Sequence, residues 1–384
     1  MSEIAISGLP LDYPRSGTAI YLTNLVRWLP LVAPYMDFRL FVRWSKQPFP
    51  GVTVERISSP AAPLSGGSGL AARADKLLWE IGSFPAAAAI RGSDLLHSPT
   101  FAAPVISSAP VVVTIHDLIP LAVPGYHRSR QSALYSRLMR ATCRRAGVII
   151  TVSEHSKRDI VRLLGIPEDQ IRVTYEAADE RFNAKPEPGE AERLRAAYSL
   201  PEKYLLYLGG AERRKNIETL IRAWAAAGAP RREGIKLVVV ADFPRPDRLY
   251  LDIPKLIEES SLQQDVLVLR IVDEADKPAL YRGAVAFCFP SRYEGFGLPI
   301  LEAMACGTPV LSSDATSLQE VAGGAALLLP PDDVSSWAEA IVQVCSSEAE
   351  RKRLGEAGPG RAARFSWRQT AAETVTVYRG LLER

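Results

Sequence analysis

The sequence predicts an α/β protein built as two doubly wound, Rossmann-like domains facing across a cleft. Three observations carry this. At 384 residues the chain is long enough for two ordinary domains. Short β-rich apolar runs alternate with longer helical patterns, and many runs are continuously apolar, as in parallel strands covered on both faces. The alternation occurs twice, on either side of NAKPEPGEAE at residues 183–192, a segment rich in proline and charge that reads as the inter-domain linker. The expected division is therefore residues 1–186 and residues 187–365, followed by a terminal helix over residues 366–384.

The elements follow in order. In the first half the strands are EIAIS, FRLFV, VTVERI, DLLHS, VVVTI, GVIITV and IRVTY, with helices over residues 19–29 and 132–145. PAAPLSGGSG, at residues 60–69, reads as a mobile loop. In the second half the strands are YLLYL, IKLVVV, VLVLRI, VAFCF, PVLSS and AALLL, with helices over residues 216–227 and from Pro299 onward. Helices placed between parallel strands fit right-handed crossovers.

Composition narrows the function classes. Hydrophobic residues make up 47% and charged residues 23%, enough for real cores. A net charge of +3 does not by itself imply nucleic acid, and no nucleic-acid partner is expected. Cys143, Cys288, Cys306 and Cys345 form no C-x-x-C pair and read as reduced thiols of a cytosolic protein. The chain enters its first strand without signal-peptide character. No apolar run approaches the ~20 residues of a spanning helix. The expected location is the cytoplasm, with any membrane contact peripheral, at the inner face of the plasma membrane.

Ligands of doubly wound sheets bind beyond the carboxyl ends of the strands. In SRYEGFGLPILEAMACGTPV, a strand ends, Glu294 precedes Gly295 and Gly297, and a helix opens that is apolar or small except for Glu302. The glycines permit close backbone approach. The helix start attracts phosphate. An unpaired buried carboxylate requires donors, and ribose hydroxyls would serve for Glu302. In YLLYLGGAERRKNIETLIRAW, Arg213, Arg214 and Lys215 cluster after a strand, and Asn216 can cap the next helix. This cluster is either a phosphate grip or a solvated basic loop. In VVVTIHDLIP, His116 stands at a strand end as a hydrogen-bond partner, an acid–base group or a structural histidine; His97 makes a weaker case. Gly17, at the first helix start, could face a phosphate or an acceptor. No G-x-G-x-x-G follows the first strand, and there is no P-loop and no D-x-D. No catalytic metal and no cofactor are expected.

These residues resemble the retaining glycosyltransferases of family four, which have the GT-B fold. Glu294 and Glu302 match the family's E-x7-E, YLGGAERRKNIETLIRAW resembles its G-x-x-x-P-R-K-N stretch, and VVVTIHDLIP, ITVSEHSKRDI and FSWRQTAAETVTVY also fit. The resemblance covers essentially the whole chain. It implies that the second domain binds a sugar nucleotide, a GDP- or UDP-sugar. Arg214 and Lys215 would hold the diphosphate, with backbone amides around Gly295, Phe296, Gly297 and Leu298. Glu302 would bind the ribose and Glu294 the donor sugar. His116 would contact the sugar from across the cleft, and Gly17 would lie near phosphates or acceptor. The implied transfer is retaining and metal-free, the leaving diphosphate being stabilised by positive charge, with domain closure excluding water. The terminal helix would cross back onto the first domain. The sequence departs from the family pattern at RSGTA, at Arg213 where proline is usual, at Gly210 where some members carry arginine, and at YEAAD, residues 175–179, where Asn-Gly is common.

Arg137, Arg140 and Arg144 share a helix face at spacings of three and four, and the span between Asp117 and Glu154 holds no acidic residue. That face either meets anionic phospholipid or a lipid diphosphate, or is simply solvated. The expected activity is transfer of mannose from GDP-mannose to a glycan or lipid-linked acceptor in cell-surface polysaccharide synthesis. UDP-glucose or a deoxysugar nucleotide are alternative donors. A sugar-nucleotide epimerase or a phosphorylase of the same fold, and a non-catalytic sugar-nucleotide-binding subunit, are alternative functions.

Overall fold

A computed structural model describes residues 1–57, 75–104, 106–126, 137, 140–228, 230, 233–242 and 246–384. The chain divides into two units, Met1–Glu176 with Ser366–Arg384, and Ala177–Phe365. The expected loop over residues 60–69 and half of the expected helix over residues 132–145 lie outside the described residues.

The first unit is built on a seven-stranded sheet. Its strands are β1 (Glu3–Ser7), β2 (Asp37–Val42), β3 (Thr53–Arg56), β4 (Leu95–Ser98), β5 (Val111–Ile115), β6 (Val148–Thr151) and β7 (Ile171–Val173). They lie in the order β3-β2-β1-β4-β5-β6-β7, and every pairing between them is parallel. The order reverses between β1 and β4. β5 and β6 are buried along their whole length, which is why VVVTI and VIIT carry no polar alternation. Helix α1 (Gly17–Val32) begins at Ser16, whose hydroxyl accepts from the Ala19 N–H at 3.2 Å.

The terminal helix, Trp367–Leu382, belongs to this first unit, as the resemblance implied. Ser366 caps it, and Trp367, Ala371, Val375, Tyr378 and Leu381 recur along its buried face. Trp367 meets Tyr21 of α1 edge-on, with ring centroids 6.0 Å apart. His97 locks the helix to the sheet. Its Nδ1 lies 2.6 Å from the Tyr378 hydroxyl and its Nε2 2.7 Å from Thr114 Oγ1. Burial depresses its pKa to about 3, so His97 is a neutral core residue that joins a strand to the last helix.

The second unit holds a six-stranded sheet. Its strands are β8 (Tyr204–Leu208), β9 (Lys236–Val240), β10 (Val266–Leu269), β11 (Ala286–Phe289), β12 (Val310–Ser313) and β13 (Leu327–Leu329). They run parallel in the order β10-β9-β8-β11-β12-β13. Helix α2 (Ile217–Ala227) covers one face through Leu220, Ile221 and Trp224, which pack with Leu237, Val239 and Cys288. The sheet order reverses between β8 and β11, and at such a switch point the crossovers on either side diverge and leave a crevice.

Two expectations change here. Residues 183–192 are not a free linker. They belong to the second unit, where Arg282 donates to the Asn183 carbonyl at 2.9 Å and grips Glu190 through Nε at 2.9 Å and Nη2 at 2.5 Å. Glu190, one of the charges that suggested a linker, is held by this bidentate ion pair. Two of the arginines expected on a shared face also have a structural duty: the Nε atoms of Arg140 and Arg144 both donate to the Leu164 carbonyl, at 3.2 and 3.1 Å. They close the exposed carboxyl end of the π-helical turn Ile160–Leu164. All four cysteines are free and buried. No helix among the described residues is long and apolar enough to cross a membrane.

Candidate functional site

The carboxyl ends of β8 and β11 bring together the two stretches that the sequence marked separately. After β8 the chain makes a short 3₁₀ turn, Arg213–Lys215. After β11 it runs through residues 290–297 into helix α4 (Leu298–Ala305), with helix α3 (Lys277–Arg282) beside it. Hydrogen bonds to backbone carbonyls tie the two loops: the Arg292 backbone N–H donates to the Arg214 carbonyl at 2.7 Å, and the Arg292 side chain, through Nη1, to the Arg213 carbonyl at 2.7 Å.

Glu294 is the hub. Lys215 Nζ lies 2.7 Å from Glu294 Oε1, and Arg214 Nη1 lies 3.2 Å from Oε2. The Ser291 hydroxyl donates to Oε1 at 2.6 Å. Arg214 also pairs through Nε with Glu212 at 2.6 Å. All three charged partners are largely buried. Burial alone would raise the Glu294 pKa, but the Lys215 and Arg214 charges outweigh it and hold the carboxyl below its ordinary range. The loop around Glu294 is fastened at several points. The Glu294 N–H donates to Thr316 Oγ1 at 3.1 Å, and the Ser317 hydroxyl reaches the carbonyls of Glu294 and Phe296 at 3.0 and 2.8 Å.

Gly295, Phe296, Gly297 and Leu298 follow, all buried, and lead into α4. Gly297 has φ 115°, and a Cβ there would stand 2.6 Å from Leu318 Cδ2. The positive φ therefore calls for glycine, and a Cβ would in addition have to displace the end of the Leu318 side chain. Pro299 sits in the first turn of α4, where its missing N–H has no helical partner to lose.

Glu302, one turn inside α4, meets a different environment. It accepts one hydrogen bond, from the Tyr281 hydroxyl of α3 at 3.1 Å. No cation lies within ion-pairing distance of it among the described residues. Lys277, whose charge acts on it from farther away, pairs with Glu274 at 2.5 Å. Burial pushes the Glu302 pKa up to about 7, with Lys277 and Tyr281 only partly opposing.

Asn216 stands at the start of α2, but its side chain makes no cap to a backbone N–H, contrary to expectation. The residue is left-handed, with φ 56°. Its amide reaches the Pro331 carbonyl at 2.6 Å, and its Oδ1 accepts from Thr219 Oγ1 at 2.9 Å. It anchors the basic turn to the loop after β13.

In the first unit, β5 delivers His116. Its Nδ1 lies 3.1 Å from Glu176 Oε1, and its ring meets Tyr21 edge-on at 4.7 Å. Gly17 opens α1, and a Cβ built there meets nothing within 4 Å. Nothing among the described residues therefore demands glycine at that position.

Comparison with known proteins assigns the chain. The profile described as "Glycosyl transferases group 1" matches residues 190–361, and that of "Glycosyltransferase Family 4" matches residues 15–182. O-antigen chain mannosyltransferase B of Escherichia coli is 32% identical over 286 residues, covering 74% of each chain. This chain belongs to the group 1 glycosyl transferases. The serotype-specific mannosyltransferase WbdA of Escherichia coli is 31% identical over 71% of this glycosyltransferase, which spans only 34% of that longer protein. D-inositol 3-phosphate glycosyltransferase of Kribbella flavida is 27% identical and covers 100% of this chain and 96% of its own length. Among solved structures, sucrose-phosphate synthase of Thermosynechococcus elongatus shares the fold with a TM-score of 0.79 at 24% identity over 100% of both chains. WaaG, a glycosyltransferase involved in lipopolysaccharide biosynthesis, does so with a TM-score of 0.75 at 15% identity over 98% of this chain and 99% of its own. The fold is GT-B, as the resemblance implied.

Within this glycosyltransferase the structure joins Arg214, Lys215 and Glu294 in one cluster and sets Glu302 apart on α4. Sequence reasoning missed Ser291, Thr316, Ser317, Tyr281 and Glu176. Ser291 was visible inside the quoted motif. Tyr281 looked like any aromatic on an amphipathic helix, and only the packing of α3 on α4 brings its hydroxyl to Glu302.

Proposed function

We propose that this glycosyltransferase moves mannose from GDP-mannose to a glycan or lipid-linked acceptor in the synthesis of a cell-surface polysaccharide. The observation that carries a sugar-nucleotide site is the Glu294–Lys215–Arg214 cluster at the β8/β11 switch point, beside a helix start. The mannose assignment rests on relatives named as mannosyltransferases. Transfer is proposed to be retaining and independent of metal.

In this reading the donor diphosphate takes up Arg214 and Lys215, assisted by backbone N–H groups of Gly295 through Leu298. Two cations placed where the leaving group gains negative charge stabilise the transition state more than the ground state. Glu294, released from part of its ion pairing, accepts from hydroxyls of the donor sugar. Glu302 accepts from the ribose hydroxyls, which supply the donors that its buried carboxylate otherwise lacks. His116 serves the transferred sugar and Gly17 the phosphates or the acceptor. The exposed arginines Arg137, Arg140 and Arg144 are proposed to face an anionic membrane surface at the cytoplasmic side, with Arg140 and Arg144 reaching it through the guanidinium nitrogens not donated to Leu164. Vesicle sedimentation with and without anionic lipid tests that part.

The donor is tested by thermal shift against GDP, UDP, GDP-mannose, UDP-glucose and a deoxysugar nucleotide. A ligand held at 100 times its Kd adds about 2.7 kcal/mol of stability. Stabilisation by GDP-mannose and GDP alone is expected, and a UDP-sugar response would overturn the donor assignment. Product anomeric configuration read by NMR, and turnover after chelation, test retention and metal independence.

A further inference from the structure

His116 offers two ring nitrogens with contrasting surroundings. Nδ1 lies 3.1 Å from Glu176 Oε1, and the Glu176 side chain is only 6% exposed. Nε2 is buried and has no hydrogen-bond partner among the described residues. The ring is held on one side by Tyr21, whose plane meets it at 84°, and the backbone at His116 is held by Ser156, whose hydroxyl donates to the His116 carbonyl at 3.1 Å. An ionised carboxylate can only accept, so Nδ1 carries the proton in this contact. In a neutral imidazole the other nitrogen is then a lone pair, an acceptor with nothing to accept from. A buried polar atom left without a partner is unfavourable, and it marks a place where a ligand's donor would fit.

We propose that Glu176 is a positioning residue: it fixes His116 with the proton on Nδ1, so that Nε2 stands ready to accept a hydrogen bond from a sugar hydroxyl. The proposal deepens the glycosyl-transfer reading and rests on it for the identity of the ligand, though not for the role of Glu176 itself. The residue acts through His116 and touches no reacting atom. The same logic operates wherever a carboxylate orients a working histidine through the nitrogen that does not work.

The test uses the full chain labelled with ¹⁵N-histidine. Two-bond proton–nitrogen spectra report which ring nitrogen is protonated, and His116→Ala identifies the relevant signals. The wild type is expected to show the proton of His116 on Nδ1. Glu176→Ala is expected to move it toward Nε2 and to lower kcat by roughly 10- to 100-fold, with donor KM changed little. Glu176→Gln, whose side-chain oxygen can still accept from Nδ1–H, is expected to recover most of both. Donor hydrolysis measured without acceptor separates the source of the hydroxyl: a donor hydroxyl slows hydrolysis and transfer alike, an acceptor hydroxyl slows transfer only. A wild-type proton on Nε2 overturns the proposal without any variant. So does Glu176→Ala with an unchanged tautomer or unchanged turnover. If the wild type transfers no sugar at all, the functional reading fails, while the spectra still decide what Glu176 does to His116.

Discussion

Glu294 and Glu302 stand eight positions apart in one motif, and the molecule treats them in opposite ways. Glu294 lies in a loop fastened by hydroxyls and is surrounded by charge. Lys215 and Arg214 hold it ionised although it is buried. Glu302 lies inside an apolar helix with one tyrosine hydroxyl and no ion pair among the described residues, and its pKa rises to about 7. Burial acts on both carboxyls in the same direction. The difference lies in what the neighbouring elements deliver: the loop after β8 brings two cations into contact with Glu294, whereas α3 brings Glu302 the Tyr281 hydroxyl and only the longer-range charge of Lys277. A carboxylate's charge state here is a property of its neighbours across the sheet.

The largest expected effect separates the two by deletion. Glu294→Ala leaves a buried lysine and arginine without their shared carboxylate. A loss of ~3–5 kcal/mol in denaturant unfolding is expected from an orphaned buried charge. Transfer should fall by about 10³-fold in a steady-state assay. Adding Lys215→Met should restore much of the stability but none of the turnover. Restored turnover in the double variant would make Glu294 only a partner for Lys215.

Glu302→Gln sharpens the other half. Its amide keeps the shape and loses the charge-assisted bonds to ribose, so sugar-nucleotide affinity should weaken by roughly 10- to 100-fold in calorimetry. Folding stability should hold or rise, because a desolvated carboxyl is gone. A large fall in stability would show that Glu302 is paired more firmly than its one hydrogen bond suggests.

Gly297→Ala probes the join between loop and helix. A left-handed φ for a side-chain-bearing residue and a 2.6 Å approach to Leu318 predict a destabilisation of about 1–3 kcal/mol in chemical denaturation. Gly17→Ala, with open space around it, should leave stability within about 0.5 kcal/mol.

A pH slope provides a further comparison of wild type and variant. The native Glu302 carboxyl keeps its proton to about pH 7, against an ordinary value of 4.5. Between those values the folded state binds more protons than the unfolded one, so stability falls as pH rises. The wild type should lose about 1 kcal/mol more than Glu302→Gln between pH 6 and pH 8. Glu80 adds a similar slope of its own. Its buried carboxyl accepts from Ser7, Ser98 and Thr100 and is also pushed up to about 7 by burial. The difference between wild type and variant is therefore the quantity to measure.

Much of this was legible in the chain. The thirteen runs match the thirteen strands in the two sheets, most plainly at β5, β6, β11 and β12, which are buried along their whole length and so read as short apolar runs. The glutamates, the basic turn and His116 were legible because strand ends in such sheets are where ligands bind. The linker was misread because composition does not reveal that Arg282, 92 residues beyond Glu190, reaches back to hold it. The arginines over residues 137–144 were read as one surface face, since the carbonyl that two of them close belongs to a later turn. YEAAD was visible as a departure from the family pattern, but its meaning depended on Glu176 meeting His116, a contact spanning 60 residues.

By itself the sequence determined the two parallel α/β units, the family and the residue types at the strand ends, because periodicity and motif spacing are local properties. The tertiary structure alone decided that Glu294 is charged, that the Glu302 carboxyl is pushed up to about 7, and that His97 is core while His116 Nε2 has no hydrogen-bond partner among the described residues. Each of those outcomes depends on desolvation and on partners brought from distant parts of the chain. Those exist only once the sheets have formed.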